Sequence, residues 1–95
     1  MPHYVIHCLD AADTLPRRLE HYEEHKAYLA EAPLHILVSG PLVKDDGKTM
    51  IGSFFLVEAN NRAEVEDFNK ADPFARNGIW RSVQIHSFIK RVDNR

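Results

Sequence analysis

Two residues far apart in the sequence, His25 and Asp72, have the types that acid/base chemistry needs. His25 lies in a segment with helical periodicity, at the border of its apolar side, and Asp72 opens the Asp-Pro-Phe sequence at residues 72–74. A histidine ring gains or loses a proton near neutral pH, so it is suited to proton transfer. A neighbouring carboxylate fixes the tautomer of the ring and makes it more basic without acting as the base itself. We therefore predict that folding brings these side chains together as a His-Asp dyad.

Both residues also have structural interpretations. An aspartate before a proline at the start of a helix is a favoured N-cap, which stabilises the helix by about 1 kcal/mol. This role is compatible with the first, because one oxygen of Asp72 could cap the helix while the other orients an imidazole. The alternative for His25 is a histidine at the border of the core that is satisfied by a backbone carbonyl.

The segment from His21 to His25 matches the pattern H-x-x-E-H of inverted zinc peptidases. Two histidines one helical turn apart could share a metal. However, no later helix offers an obvious further ligand, and the chain is far shorter than the domains that carry this motif. A cofactor fingerprint and a phosphate-binding loop are also lacking. We therefore expect no cofactor and no metal, beyond weak adventitious binding at these histidines.

Further polar residues are predicted to contact a substrate. They are Ser53, Arg18, Tyr28, His7 and His86. The two histidines belong to the first and last predicted strands, and they would line a pocket if two sheets pack together; otherwise they are ordinary residues at the rim of a sheet. No serine lies in a Gly-x-Ser-x-Gly sequence, so the pattern does not support a nucleophilic hydrolase.

Composition limits the classes of protein that this chain can represent. Its 95 residues, 44% of them hydrophobic, are enough for one domain, which we place at 1–95. The net charge of −2 disfavours nucleic-acid binding, which depends on basic residues that neutralise phosphates. A single cysteine, Cys8, excludes an intrachain disulfide and fits a reducing compartment. No signal peptide and no apolar run of membrane-spanning length is present, so we expect no membrane association and a cytoplasmic location.

Periodicity predicts six main elements in the order β-α-β-β-α-β. They are a strand at residues 3–9, a helix from Leu15 to Ala32 that Asp13 caps and Pro33 ends, a hairpin of strands Leu34–Val43 and Met50–Glu58, a helix from Arg62 to Ala71 that Asn60 or Asn61 caps, and a strand from Arg81 to Lys90. The residues expected to face the core are Leu15, Leu19, Tyr22 and Leu29 in the first helix and Ala63, Val65, Phe68 and Ala71 in the second. A short extra turn is expected to start at Asp72 and to close at Gly78.

This order is typical of a ferredoxin-like α+β sandwich, a four-stranded antiparallel sheet with helices on one face. The third strand is apolar on both sides, with Phe54 and Leu56 on one side and Phe55 and Val57 on the other. Both faces of the sheet are therefore expected to be covered, one by helices and the other by a second copy of the chain. We predict a homodimer that packs sheet to sheet.

Several short sequences in this order resemble the YCII-related (YciI-like) family. They are Tyr4-Val5-Ile6, His25-Lys26-Ala27-Tyr28-Leu29, Ser39-Gly40-Pro41, Gly52-Ser53 and Asp72-Pro73-Phe74. The resemblance implies a ferredoxin-like fold that dimerises into a barrel-like α/β assembly, within a wider group that includes muconolactone isomerases and small monooxygenases. It also implies a His-Asp pair in a cleft, at His25 and Asp72. Relatives carry an arginine a few residues before the histidine; Tyr22 stands there in this chain, and Arg18 is the candidate substitute.

We predict a small-molecule enzyme that uses His25 and Asp72 for general acid/base chemistry, such as isomerisation or elimination on a small organic acid or ring compound. The rival hypothesis is a dimeric module that binds a small ligand, or assists another enzyme, without chemistry of its own. Oxygenase-type chemistry on an activated substrate is a third alternative.

Overall fold

The computed structural model describes residues 1–95 and contains four strands and four helices. In chain order they are β1 (His3–Asp10), α1 (Leu15–Glu20), α2 (Tyr22–Ala30), β2 (His35–Val43), β3 (Met50–Glu58), α3 (Arg62–Ala71), α4 (Pro73–Arg76) and β4 (Trp80–Phe88). The strands form one sheet in the order β2-β3-β1-β4, and every neighbouring pair is antiparallel. The predicted ferredoxin-like α+β class and the β2–β3 hairpin are confirmed.

Burial alternates along the two central strands, so one face of the sheet carries the helices and the other is open. On β1 the buried side chains are Tyr4, Ile6 and Cys8. On β3 they include Phe55 and Val57, which face the same side as the buried residues of β1. These residues form the core with aromatic and aliphatic side chains from α3, α4 and the start of β4, namely Val65, Phe68, Phe74, Ile79 and Trp80.

The predicted first helix is divided in two, which corrects the sequence-based prediction. A single non-helical residue, His21 (φ −98°, ψ 9°), separates α1 from α2. The second helix ends at Ala30, three residues before Pro33. Thr14, rather than Asp13, occupies the N-cap position, and no side chain caps the helix. Asp13 instead has a left-handed backbone (φ 59°), which turns the chain between β1 and α1.

The residues that α1 and α2 bury also differ from those predicted. Leu15, Leu19 and Tyr22 are exposed, whereas the buried side chains of these helices are the polar Arg18 and His25. Leu29 does pack against the core, as predicted. A hydrophobic periodicity cannot identify a buried arginine or histidine, because burial of either depends on partners elsewhere in the chain.

The second predicted helix, α3, has the predicted bounds and cap. The Asn61 side chain accepts a hydrogen bond from the backbone N–H of Glu64, and the Glu64 carboxylate accepts one from the backbone N–H of Asn60. This reciprocal arrangement satisfies one of the free N–H groups of the first turn and the N–H of the residue before the cap. Ala63 and Ala71 are exposed, so the prediction that they face the core is wrong.

The last strand begins at Trp80 and ends at Phe88, so it starts one residue and ends two residues earlier than predicted. Gly78, with a left-handed backbone (φ 67°), closes the turn after α4. None of the four helices has the length and hydrophobicity that a transmembrane segment requires.

Candidate active site

A cleft of about 240 Å³ opens between the α1–α2 helices and the β2–β3 hairpin. Its lining residues are Arg18, Tyr22, His25, Lys26, Leu29, Ser39, Gly40, Pro41, Met50, Ser53, Phe55 and Phe74. Three of the predicted site residues, His25, Ser53 and Arg18, therefore line the same cleft. A larger hollow of about 520 Å³ lies next to it, around the β1–α1 turn, but neither His25 nor Asp72 lines that hollow.

His25 lines this cleft, and the buried Asp72 lies next to it in the structure. The Nδ1 atom of His25 is 2.9 Å from Oδ1 of Asp72. The side chain of Asp72 is 1% exposed and that of His25 is 10% exposed. An ionised carboxylate only accepts hydrogen bonds, so in the neutral imidazole Nδ1 carries the proton and Nε2 presents its lone pair. The ring thereby has the tautomer that proton abstraction through Nε2 requires.

The same oxygen of Asp72 also caps α4. Oδ1 accepts a hydrogen bond of 2.8 Å from the backbone N–H of Phe74, whereas Oδ2 is buried without a partner. The sequence suggested that one oxygen would cap and the other would orient the ring; in the structure one oxygen does both. Because the cap fixes the carboxylate to the backbone of α4, the position of the His25 ring is tied to the start of that helix.

Aromatic side chains hold the His25 ring on its other sides. The ring stacks on Phe74 at a centroid distance of 4.0 Å and an interplanar angle of 6°. Phe55 and Trp80 meet it edge-on at 6.3 Å and 6.4 Å. Its Nε2 atom has no hydrogen-bond partner within the chain and is not among the fully buried unpaired atoms. The ring is therefore fixed in orientation, and Nε2 remains the nitrogen that a ligand could meet.

Arg18 is held on the opposite, sheet side of the cleft. Its Nη1 lies 2.9 Å and 3.0 Å from the two carboxylate oxygens of Asp10, and its Nη2 donates to the Gly52 carbonyl at 2.8 Å and to Ser53 Oγ at 2.9 Å. The guanidinium carbon also lies 4.8 Å from the centroid of the Phe74 ring, the ring on which His25 stacks. Arg18 thus connects the ends of β1 and β3 to the aromatic support of the histidine.

Burial affects the ionisation of two groups on β1. Desolvation raises the pKa of the Asp10 carboxyl above its usual value, although the Arg18 charge and hydrogen bonds oppose the shift. Desolvation likewise raises the pKa of the Cys8 thiol to about 12, with an opposing contribution from the Asn69 amide, which lies 3.8 Å from Sγ. Cys8 is therefore a neutral core thiol at physiological pH.

Three predicted site residues lie outside the cleft. The Tyr28 hydroxyl donates to the backbone carbonyl of Phe68 at 2.7 Å, on the side of α2 that faces α3, so it ties two helices together. His7 pairs with Phe54 and Gln84, and His86 pairs with Val5, on the open face of the sheet. These positions do not place the three side chains next to His25. For His7 and His86, a role in a pocket between two sheets stays a prediction.

The two histidines of the H-x-x-E-H pattern do not converge. His21 contacts Glu24 at 3.1 Å, in its own helix, whereas His25 turns towards Asp72. No group of three or more His, Cys, Asp or Glu side chains has the geometry of a metal site.

Sequence reasoning assigned no role to two residues that hold Arg18 beside the cleft, Asp10 and Gly52. A β-carbon at position 52 would lie 2.1 Å from the carbonyl oxygen of Cys8, so only glycine fits there. The only signal for Asp10 in the sequence is an acidic residue at the end of a strand, shortly before a helix that contains Arg18. That signal becomes readable only when the burial of Arg18 is known.

A sequence model of the YCII-related domain matches residues 2–89. The chain belongs to the YCII-related domain family. A similar protein of this size, an uncharacterised protein of Haemophilus influenzae, is 28% identical, and the match covers 93% of this chain and 97% of that one. The family suggested by the short sequence motifs is confirmed.

Solved structures with the same fold include one that is also similar in sequence. 5-Chloro-2-hydroxyhydroquinone dehydrochlorinase (TftG) of Burkholderia phenoliruptrix, in complex with 2,5-dihydroxybenzoquinone, is 31% identical with a TM-score of 0.83, covering 92% of this chain and 93% of that chain. An antibiotic biosynthesis monooxygenase, 16% identical, has a TM-score of 0.57 over 95% of this chain and 98% of its own. At that identity the second likeness shows the fold alone.

Proposed function

We propose that this protein is a small-molecule enzyme that transfers a proton with His25, oriented by Asp72, in an elimination or isomerisation of a small ring compound. The observation that carries the proposal is the 2.9 Å contact between Nδ1 of the ring and the buried carboxylate, beside a cleft that the ring lines. A ring held in this way presents the Nε2 lone pair as a general base.

The chemical step follows from this geometry. Nε2 accepts a proton from the substrate, and the electron pair of the broken bond forms a new double bond. In an elimination the leaving group departs with its own electron pair; in an isomerisation the imidazolium returns the proton at another atom. Asp72 stabilises the imidazolium and remains ionised throughout.

The size and walls of the cleft support a small, flat substrate. A volume of about 240 Å³ lies below the range of roughly 300–1,000 Å³ that is common for drug-sized ligands. Phe55, Phe74 and Leu29 supply apolar walls, and Arg18 and Ser53 supply polar groups. The similarity to a dehydrochlorinase that binds 2,5-dihydroxybenzoquinone supports the same class of ring compound here.

The assembly that we propose is a homodimer packed through the open face of the sheet. Val5, Phe54, Leu56 and Phe88 place apolar side chains on that face, where no element of the same chain forms a second layer. Two sheets packed face to face would remove this surface from water and would bring His7 and His86 between them.

The experiment is a chloride-release assay with 5-chloro-2-hydroxyhydroquinone, the substrate named for the dehydrochlorinase. We expect turnover by the wild type and a loss of about 10²–10⁴-fold in kcat for His25→Ala, the usual contribution of a general base. Asp72→Asn should lose activity while keeping the α4 cap, since asparagine caps as well as aspartate. His35→Ala, at a side chain that is 69% exposed and pairs with Glu58 away from the cleft, is the matched histidine control.

Two results would count against the proposal. Turnover that His25→Ala retains would remove the ring from the mechanism. Binding of 2,5-dihydroxybenzoquinone without turnover of any chlorinated or isomerisable hydroquinone would favour the rival function, a module that binds small ligands without chemistry.

A further inference from the structure

A second chain of polar contacts reaches the cleft from the sheet, independent of His25 and Asp72. It runs from the Asp10 carboxylate to the Arg18 guanidinium and on to the Ser53 hydroxyl, through contacts of 2.9–3.0 Å and 2.9 Å. The side chains of Asp10 and Arg18 are 7% and 4% exposed, and Ser53 is 2% exposed. Because the three side chains are almost inaccessible to solvent, water does not compete for their hydrogen bonds.

The hydrogen bonds of Arg18 limit what this residue does in the cleft. A guanidinium has five N–H donors. Both nitrogens of its fork are occupied, Nη1 by the two Asp10 oxygens and Nη2 by Gly52 and Ser53. The planar fork that binds a carboxylate in two-point fashion is therefore already occupied by partners within the chain. Arg18 is therefore not available as a bidentate anion receptor.

The hydroxyl hydrogen of Ser53 has no partner within the chain. The Ser53 oxygen accepts a hydrogen bond from Arg18, and no acceptor within the chain takes its hydroxyl hydrogen. The residue lines the cleft, so this hydrogen is available to a ligand. A positive donor on the oxygen withdraws electron density and makes the O–H a stronger donor.

We propose that Ser53 is a catalytic residue that donates a hydrogen bond to a ring oxygen of the substrate, at the moment this oxygen becomes negative. The proposal rests on the function proposed above. When His25 takes the proton, the electron pair of the broken bond moves into the ring and onto the oxygen. In an elimination the pair then returns to the ring and the leaving group departs with its own electrons. In an isomerisation the pair returns and takes up the proton at another ring atom. Asp10 and Arg18 are positioning residues that hold and polarise the Ser53 hydroxyl.

The substrate class follows from this assignment. The cleft suits a ring that carries a hydroxyl or carbonyl oxygen able to hold charge as a phenolate or an enolate. It does not suit a substrate that depends on a free carboxylate for binding, because the Arg18 charge is balanced by Asp10. Donors placed where charge develops contribute about 10²–10³-fold to kcat in other enzymes.

Glycine at position 52 is part of the same arrangement. Since a side chain there would collide with the carbonyl of Cys8, β3 and β1 approach closely at this point. The Gly52 carbonyl is then free to accept from Arg18 and to place the next residue, Ser53, beside the guanidinium. The position of the hydroxyl is therefore set by the backbone of the sheet.

The test compares Ser53→Ala with wild type and with Ser87→Ala, a serine control on β4 outside the cleft. We expect kcat for 5-chloro-2-hydroxyhydroquinone to fall about 100-fold or more in Ser53→Ala, with KM changed less than tenfold, and to stay within twofold in the control. Removal of the hydroxyl leaves a buried arginine donor unpaired, so Ser53→Cys is a second variant. It keeps the volume, replaces the hydroxyl with a weak donor, and should show the same loss.

A spectroscopic readout separates a catalytic hydroxyl from a structural one. The absorbance of bound 2,5-dihydroxybenzoquinone reports its ionisation, and Ser53→Ala should move the pH at which the bound ligand ionises upwards. Asp10→Asn should lower kcat less than Ser53→Ala. It should also make the fall of kcat at acid pH less steep, because it removes a buried carboxyl whose pKa is raised and leaves the general base in place.

The outcomes distinguish this proposal from the one on which it rests. If folded Ser53→Ala and Ser53→Cys keep kcat within twofold while His25→Ala is inactive, the role of Ser53 is overturned and the His-Asp function stands. If the ionisation of the bound quinone is the same in wild type and Ser53→Ala, the hydroxyl does not stabilise charge. Inactivity of the wild type with every hydroquinone tested would overturn both.

Discussion

Phe54 and Phe55 are neighbours on β3, but they lie on opposite faces of the sheet and differ in burial. Phe55 is buried among the core aromatics and helps to hold the His25 ring, whereas Phe54 lies half-buried on the open face beside His7. The covered face also buries two pairs of polar side chains, His25 with Asp72 and Arg18 with Asp10. The covered face therefore builds the site, while the open face provides the surface for the proposed dimer.

Of the changes proposed here, truncation of Phe55 on the covered face should lower the stability of the fold most. Phe55→Ala removes contacts with Phe68 and Trp80, and we expect it to lower the free energy of unfolding by about 3–5 kcal/mol. Phe54→Ala is the matched control and should cost the monomer less than half as much. Urea titration followed by circular dichroism measures both. Equal losses would mean that the two faces contribute equally to the fold.

A charge on the open face tests the proposed dimer. Leu56→Lys places an ammonium in the middle of that face, next to Val5 and Val38, and should weaken dimerisation by about 30-fold or more, equivalent to about 2 kcal/mol. Val83→Lys, at an exposed site on the other parity of β4, is the control. Sedimentation equilibrium reports the association constant. A monomeric wild type, or an unchanged constant in Leu56→Lys, would contradict the proposed interface.

The smallest effect concerns the thiol of the covered face. Burial raises the pKa of Cys8 to about 12 from 9.0, so the unfolded chain releases the thiol proton at lower pH than the folded one. Folding stability is therefore lost as the pH rises from 9 towards 12, at about 1 kcal/mol per pH unit for this group. Cys8→Ala should lose less stability between pH 9 and 10 than wild type. Identical pH dependence in the two proteins would show that the thiol is not protected from ionisation.

The parts of the fold that were predictable depend on local patterns. The β2–β3 hairpin and α3 follow from alternation, turn residues and the Asn61 cap, all of which act over a few residues. The break at His21 was not predictable, because the segment from Leu15 to Ala30 has an apolar stripe that suggests one helix. The structure buries Arg18 and His25 instead, and their partners lie on β1 and at the start of α4.

The site was partly predictable for the same reason. His25 and Asp72 were selected by residue type and by family resemblance, and the structure brings them together. Tyr28 was also predicted to contact a substrate, but its hydroxyl binds the Phe68 carbonyl of α3 instead. Asp10 was overlooked, since an aspartate before a turn has an ordinary explanation. A polar contact between distant segments leaves no periodic signal in the sequence.

The absence of a side chain at Gly52 offers a way to distinguish relatives by the arrangement around Arg18. A chain with any side chain at the matching position has to separate the two central strands there, and so loses the close approach that presents the Gly52 carbonyl to Arg18. Within the family, glycine followed by serine at this point is then expected to mark members that keep the same charge-balanced arginine. Members without it are expected to act on different molecules, even where the histidine and aspartate are retained.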